Sequence, residues 1–253
     1  MHLKTPVMLM ISLLAISCGP KSIHKQSIPR EREIQSFRLL GEGDLLLQEG
    51  KDHLAMLKYL EASELNPYHE VIFNKLAITY VRLQMLSQAR AAVDRALALK
   101  RKYAYGYNTK GIVDLAFSDP SSAVGAFSKA IDINPGVPNF YINYGFSLVQ
   151  VGRASEAMEA YRKALALDPH IFEQKNLVEL TYSSESDLSP EQYYNLAVVF
   201  ANLGNLDYTL RYLGRAFGGG FSDFDRVRAE PAFQRLAAND QFRRFLAIHG
   251  VIL

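Results

Sequence analysis

Small residues recur in this chain at a fixed spacing of 34 positions. In two consecutive frames, three small residues, one aromatic residue and a closing proline fall in register: Gly111, Ala123, Phe127, Ala130 and Pro135 with Gly145, Ala157, Tyr161, Ala164 and Pro169. A period of this length is typical of helical arrays, in which each unit buries its apolar face against its neighbours. The sequence therefore predicts stacked helix pairs.

The same register extends over most of the chain. Four contiguous copies span 36–69, 70–103, 104–137 and 138–171, and a fifth fits at 190–223. We expect the glycine or alanine of the first helix to face the first alanine of the second helix, while the second alanine receives the next copy. In the four contiguous copies these positions are Gly43, Ala55, Ala62, Ala77, Ala89, Ala96, Gly111, Ala123, Ala130, Gly145, Ala157 and Ala164.

The pattern resembles the tetratricopeptide repeat, whose motif runs aromatic, Leu-Gly, Tyr, Ala, Phe, Ala and Pro. The resemblance implies an all-α fold, a right-handed α-α superhelix over 34–171 and 190–223 with a helical C-terminal cap over 224–253. The alternative for 224–253 is a segment that acts as a ligand. Residues 172–189 are predicted to form an extra helix and a loop, which should interrupt the superhelix or cap the stack of four copies. We expect a visible bend there.

The N-terminus carries an export pattern. Residues 1–17 contain a short apolar run, too short to span a bilayer, and are predicted to be a signal peptide. The residues around Cys18 resemble a bacterial lipobox, which implies lipidation of Cys18 and a tether over 18–33. The following Gly19 resembles a signal for the outer membrane, facing the periplasm. Ala15 and Ser17 also suit ordinary signal peptidase, which would give a secreted soluble form.

The amino-acid composition argues against several classes of function. Lys plus Arg total 28 against 26 for Asp plus Glu, so there is no electrostatic case for nucleic acid binding. The single cysteine excludes an internal disulfide and a thiolate metal site. We find no catalytic, metal or cofactor motif, and predict a protein that is not an enzyme and needs no cofactor. The sequence does not indicate an oligomeric state.

In the repeat family, the second, fifth, sixth, ninth and twelfth positions of the first helices line the concave side. The resemblance therefore implies that other proteins bind to this side as partners. The groove residues that this resemblance implies are Asn74, Ile78, Asn108, Ile112, Asn143, Phe146, Tyr194 and Asn195. We expect the amides to bind an extended peptide backbone and the apolar side chains to accept partner side chains. Alternatively, these residues pack on one another or lie under another segment of the chain.

Two functions follow from these patterns. The first is a membrane-tethered scaffold or assembly factor of the bacterial cell envelope, similar to tetratricopeptide lipoproteins that help to build envelope machines. The second is an envelope enzyme or small-ligand receptor with a pocket near 172–194, to which Ser183 to Ser189, Tyr193 and Tyr194 would contribute.

Overall fold

The computed structural model describes residues 27–173 and 188–252, and every regular element within those ranges is helical. Predictions for the signal peptide, for Cys18 and for most of the insertion lie outside the described residues. The first eight helices are α1 Arg30–Gln48, α2 Asp52–Leu65, α3 Glu70–Arg82, α4 Leu86–Leu99, α5 Ala104–Ala116, α6 Pro120–Ile133, α7 Pro138–Gln150 and α8 Ala154–Leu167. A 3₁₀ turn at Ile171–Glu173 follows, and then α9 Pro190–Asn202, α10 Leu206–Gly218, α11 Phe224–Ala229, α12 Pro231–Gln234 and α13 Asp240–Ile248.

Helices α1 to α10 form five pairs, and each pair reverses direction at the same point of its frame. The middle residue of every connection has a left-handed backbone, with φ between 59° and 77°: Gly50, Gln84, Ser118, Gly152 and Gly204. The next residue donates its N–H to the carbonyl five positions earlier, at 2.8 to 3.0 Å. This arrangement satisfies carbonyls that the helix end leaves open. Short connections of this kind make the two helices antiparallel neighbours.

Asparagine or aspartate ends the second helix in three pairs. The side-chain oxygen of Asn66, Asn134 or Asp168 accepts the backbone N–H two residues later, at 3.2, 3.2 and 2.9 Å. The proline that follows each of them disfavours helical geometry in the preceding residue. Helices α2, α6 and α8 accordingly end one residue before these three sites.

The repeated alanines form the centre of the seams between helices. All eight are 0% exposed: Ala55, Ala62, Ala89, Ala96, Ala123, Ala130, Ala157 and Ala164. The glycines of the first helices have a different neighbour from the one expected. A Cβ added to Gly43, Gly111 or Gly145 would meet the aromatic ring of the second helix (Tyr59, Phe127 and Tyr161) before any alanine. The glycine therefore makes room for a ring.

The fifth pair packs directly on the fourth. The ring of Tyr161 lies 5.4 Å from that of Phe200, and Phe172 contacts both rings at 5.9 and 5.2 Å. The side-chain amide of Gln192 also donates to the backbone carbonyl of Gln150 at 3.1 Å. The expected interruption of the stacking is therefore wrong, because the insertion leaves the two pairs in contact.

The C-terminal helices cover the last pair. Phe217 of α10 stacks with Phe245 of α13 at 6.2 Å, and Phe242 and Leu246 of α13 are fully buried. The apolar side of α10 is thereby removed from solvent, as a terminal capping unit requires. The predicted all-α repeat fold is confirmed.

Candidate functional site

The second, fifth and ninth positions of the first helices share one helix face, because residues three and seven apart lie above one another. We call this surface the inner face. Its members are Phe37, Leu40 and Asp44 on α1, Val71, Asn74 and Ile78 on α3, Tyr105, Asn108 and Ile112 on α5, Asn139, Ile142 and Phe146 on α7, and Glu191, Tyr194 and Val198 on α9.

Accessibility of the inner face differs between its two ends. Phe37 on α1 is 44% exposed and Tyr105 on α5 is 51% exposed, and Ile78 is half-buried. Ile112 and Phe146 are buried within the main apolar cluster. Both were expected in an open groove, but their side chains pack between helices. The most exposed apolar side chains of the inner face therefore lie on α1 and α5, with the half-buried Ile78 on α3 between them.

Phe37 and Tyr105 were missed by the sequence interpretation, although they hold the second position of their frames. Each of the two rings makes an edge-to-face contact with a neighbouring ring. Phe37 contacts the ring of His69 at 5.0 Å, and Tyr105 contacts Phe140 at 5.3 Å. The signal was available, because an aromatic residue at a position that the resemblance assigns to the concave side predicts a contact site.

The amides of the predicted groove behave differently from one another. Asn143 donates its Nδ2 hydrogen to the Oδ1 atom of Asn108 at 2.9 Å, so these two amides bind each other across α7 and α5. Asn74 is buried, and its Oδ1 accepts no hydrogen bond from the described residues. A buried acceptor without a donor is unfavourable, by about 1–3 kcal/mol.

Asp44 is the charged residue of the inner face on α1. Its Oδ1 atom accepts the hydroxyl hydrogen of Tyr59 at 2.6 Å and lies 2.9 Å from Nζ of Lys75. Burial, followed by the hydrogen bond to Asp44, raises the pKa of Tyr59 above its ordinary value. The contacts link α1, α2 and α3, and they neutralise Asp44, so the accessible inner face presents little net charge.

The C-terminal segment covers Tyr194, the central residue of the inner face on the fifth pair. The ring of Tyr194 stacks on Phe221 at 4.5 Å, meets Phe233 edge-on at 5.9 Å and lies under the guanidinium of Arg226 at 4.3 Å. Burial raises the pKa of Tyr194 to about 12. Arg226 also pairs with Glu191 at 2.6 Å. Tyr194 thus belongs to the contact with the C-terminal segment, as the alternative of a covered groove anticipated.

Asn195, on the same helix, is half-buried. Tyr193 stacks on Tyr212 of α10 at 6.5 Å. Ser189 forms the predicted capping box with Gln192 at the start of α9. The described residues of the alternative pocket therefore make structural contacts, and the remainder of that pocket lies outside the described residues.

The described residues also show how the chain stands with respect to metal sites and membrane-spanning helices. Across 27–173 and 188–252, no three side chains of His, Cys, Asp or Glu come together as metal ligands would. Within the same ranges, none of the helices has the length and apolar character needed to cross a bilayer.

Comparison with known proteins agrees with the repeat register. Residues 138–171 match the family model of the tetratricopeptide repeat. The fold is similar to that of a tetratricopeptide repeat protein of Thermus thermophilus, with a TM-score of 0.54 and 21% identity, covering 79% of this chain and 99% of that chain. It is also similar to pilF of Pseudomonas aeruginosa, with a TM-score of 0.58 and 18% identity, covering 87% and 91% of the two chains.

Two curated relatives match part of the sequence. BBSome complex member BBS4 of Bos taurus is 28% identical over 120 residues, which is 47% of this chain and 23% of the relative. A TPR repeat-containing protein of Methanocaldococcus jannaschii is 22% identical over 191 residues, which is 71% of this chain and 32% of the relative. This chain therefore spans a third or less of these relatives, and the comparison supports the tetratricopeptide repeat fold.

Proposed function

We propose that this repeat protein is a scaffold that holds an extended, mainly uncharged segment of a partner protein on the inner face of α1, α3 and α5. One observation carries the proposal: the accessible part of that face combines exposed apolar side chains with neutralised charge. Stacked helix pairs present extended surfaces of this kind to partner proteins. On the fifth pair the C-terminal segment covers Tyr194, so the partner lies toward the N-terminal pairs.

The residues specify what the partner offers. Phe37, Ile78 and Tyr105 contribute apolar surface, which favours aliphatic or aromatic side chains. Asp44 is already held by Lys75, so a charged partner side chain gains little there. An acidic tail is therefore a poor ligand, and an apolar extended segment is a good one.

The proposal includes a location. The apolar run within residues 1–17, followed by Cys18 and Gly19, supports lipidation of Cys18 and attachment to the outer membrane of the cell envelope. A tethered scaffold in that position would act as an assembly factor for an envelope machine.

Site-directed photo-crosslinking tests the binding surface. A photoreactive amino acid placed at position 105 of the full-length chain should form a discrete covalent adduct in native envelopes, and the same group at position 167 should not. Leu167 is a matched control because it is 44% exposed at the end of α8. Adding Phe37→Ala should reduce the adduct at position 105 without changing the helical circular dichroism. Equal adducts at both positions, or none at position 105, would refute the proposed surface.

Metabolic labelling tests the location. Cells given a clickable palmitate analogue should label the unmodified chain, and Cys18→Ala should lose both the label and the membrane fraction. An unlabelled chain of mature size in the soluble fraction would instead support cleavage by ordinary signal peptidase.

A further inference from the structure

The first helix pair exposes the face that every later pair uses for stacking. Leu45 holds the tenth position of its frame and is 62% exposed. The equivalent residues are buried in the other four copies, being Thr79, Val113, Ser147 and Val199. In those copies the preceding pair covers the position. On α1 the same face is open, and Ile34, which lies three turns earlier, is 61% exposed.

The open face of α1 forms a stripe that is complementary to itself. Its exposed members are Glu31, Ile34, Arg38, Gly41, Leu45 and Gln48. If a second α1 lies antiparallel across the stripe, Ile34 meets Leu45 of the second copy, Arg38 meets Gly41, and Glu31 meets Gln48. Each contact then occurs twice, as an isologous interface requires. A Cβ at Gly41 would meet nothing within 4 Å, so a second helix has room to approach closely there.

Charge supports the same pairing. Arg38 and Glu42 form an exposed pair on α1, with Nε and Oε1 3.3 Å apart. In the antiparallel arrangement Arg38 of one chain faces the turn that carries Glu42 of the other. Glu42 also lies 3.0 Å from Nζ of Lys58 on α2, so Arg38 of one chain would approach a Glu42 of the other chain that Lys58 already holds. Such a contact between exposed groups costs little desolvation. A parallel arrangement would instead place each charge beside its own kind.

The C-terminal end of the stack disfavours head-to-tail association and favours pairing through a two-fold axis. A head-to-tail contact would need a free trailing face on α10, and there Phe217 is covered by Phe245 and by Phe224 at 5.6 Å. A head-to-tail contact through that face is thereby disfavoured. Among the described helix pairs the first one leaves its stacking face open, and two copies of one face pair through a two-fold axis.

We propose that the stripe on α1 is a self-association surface at which a second copy of this chain docks antiparallel, with Ile34 against Leu45 of the partner copy. A single helix–helix contact buries less than the roughly 800 Å² per partner of a stable complex. The dimer is therefore weak and depends on concentration. It requires neither the inner face nor the partner proposed above.

Disulfide trapping in cells tests the pairing and its direction. Two full-length chains with different tags, one carrying Ile34→Cys and the other Leu45→Cys, are co-expressed and oxidised, and bridged species are read on a non-reducing gel. The antiparallel arrangement brings positions 34 and 45 together, whereas two copies of position 34 lie about 16 Å apart along the axis, beyond the reach of a disulfide. The mixed pair should bridge, and each variant paired with itself or with the unmodified chain should give only the background from Cys18.

Bridges in the self-pairs at the level of the mixed pair, or background in every pair, would overturn the proposal. Background in every pair is also the result if another protein, or residues 1–26 of the same chain, covers the stripe. A second variant guards the interpretation: Gly41→Glu should abolish the mixed bridge, and Leu57→Glu should keep it. Leu57 is a suitable control because it is exposed on α2 rather than on the stripe. Equal loss in both variants would also overturn the pairing.

Discussion

The glycine of the first helix and the ring of the second helix form a matched pair whose coupling can be measured. A Cβ added at Gly111 would lie 2.6 Å from Cε1 of Phe127 and 2.7 Å from both Cδ1 and Cζ. These distances are far inside van der Waals contact. The ring is 0% exposed and belongs to the main apolar cluster, so it cannot move away without displacing its neighbours. Gly111→Ala should therefore strain the seam between α5 and α6.

Two effects of Gly111→Ala oppose each other. Overpacking a well-filled core costs about 1–3 kcal/mol. Replacing glycine by alanine within a helix stabilises the folded protein by about 1 kcal/mol. Because the ring is fully enclosed, the upper end of the cost applies and the net loss of unfolding free energy is about 2 kcal/mol. For a chain of this length that loss lowers the Tm by about 4–8 °C.

Two other copies of the repeat contain a residue pair that avoids this strain. In the second copy the small residue is Ala77, and the residue equivalent to Phe127 is Val93; in the fifth copy the corresponding residues are Ala197 and Leu213. A β-carbon on the first helix thus goes with an aliphatic residue on the second. Phe127→Leu alone leaves a cavity, but combined with Gly111→Ala it should cost about 1–2 kcal/mol less than the sum of the two single changes.

Urea and thermal unfolding of the four chains, followed by circular dichroism, give this coupling energy. Gly125→Ala is the matched control, because it lies on the exposed side of α6 with nothing within 4 Å of an added Cβ. It should stabilise the protein by up to about 1 kcal/mol. If the two changes at Gly111 and Phe127 add without coupling, the glycine does not exist to accommodate the ring and the reasoning fails.

Three further predictions follow from single sites. Ser118 has a φ of 59°, so Ser118→Gly should raise the Tm by relieving about 1 kcal/mol of backbone strain, whereas Gly152→Ala should lower it; equal shifts would contradict this. Burial raises the pKa of Asp114 despite its ion pair with Lys110 at 3.1 Å, so the charged form of Asp114 is disfavoured in the folded protein. Asp114→Asn should therefore raise the Tm at neutral pH, by an amount that shrinks as the pH falls through the raised pKa. A Tm difference that grows toward acid would refute this. Tyr194→Ala should cost about 3–5 kcal/mol and speed hydrogen exchange in 221–236 before the other helices, and uniform exchange would contradict the assigned contact.

The fold could be predicted because its signal is local and repeated. Alanines at fixed positions of each frame indicate two helices that approach closely, and Asn-Pro or Asp-Pro marks the end of three of the five units. The left-handed residue at the middle of every connection was harder to recognise. Gly50, Gly152 and Gly204 are visible in the sequence, but Gln84 and Ser118 occupy the same point without the expected glycine. Their conformation follows from the pairs around them.

The inner face shows where prediction from the repeat pattern ends. The resemblance to the repeat family implies that Tyr194 and Asn108 share one surface, and both hold the fifth position of their frames. Whether the surface is open depends on contacts between residues far apart in the chain, such as Tyr194 with Phe233 and Asn108 with Asn143. The repeat pattern does not encode the contact of Tyr194 with Phe233, because Phe233 lies beyond the last copy.

The two proposed surfaces of α1 can be tested independently because they lie on different sides of one helix. At about 100° per residue, the stripe of Ile34, Gly41 and Leu45 is roughly a quarter turn from the inner-face residues Phe37 and Leu40. A second copy docked on the stripe therefore leaves Phe37 beside the interface, and the two inner faces of a dimer face solvent near each other. A partner with two binding segments would gain avidity from that arrangement. Gly41→Glu should then weaken the capture of such a partner while single-segment binding at Tyr105 is unchanged, and Tyr105→Ala should remove capture in monomer and dimer alike.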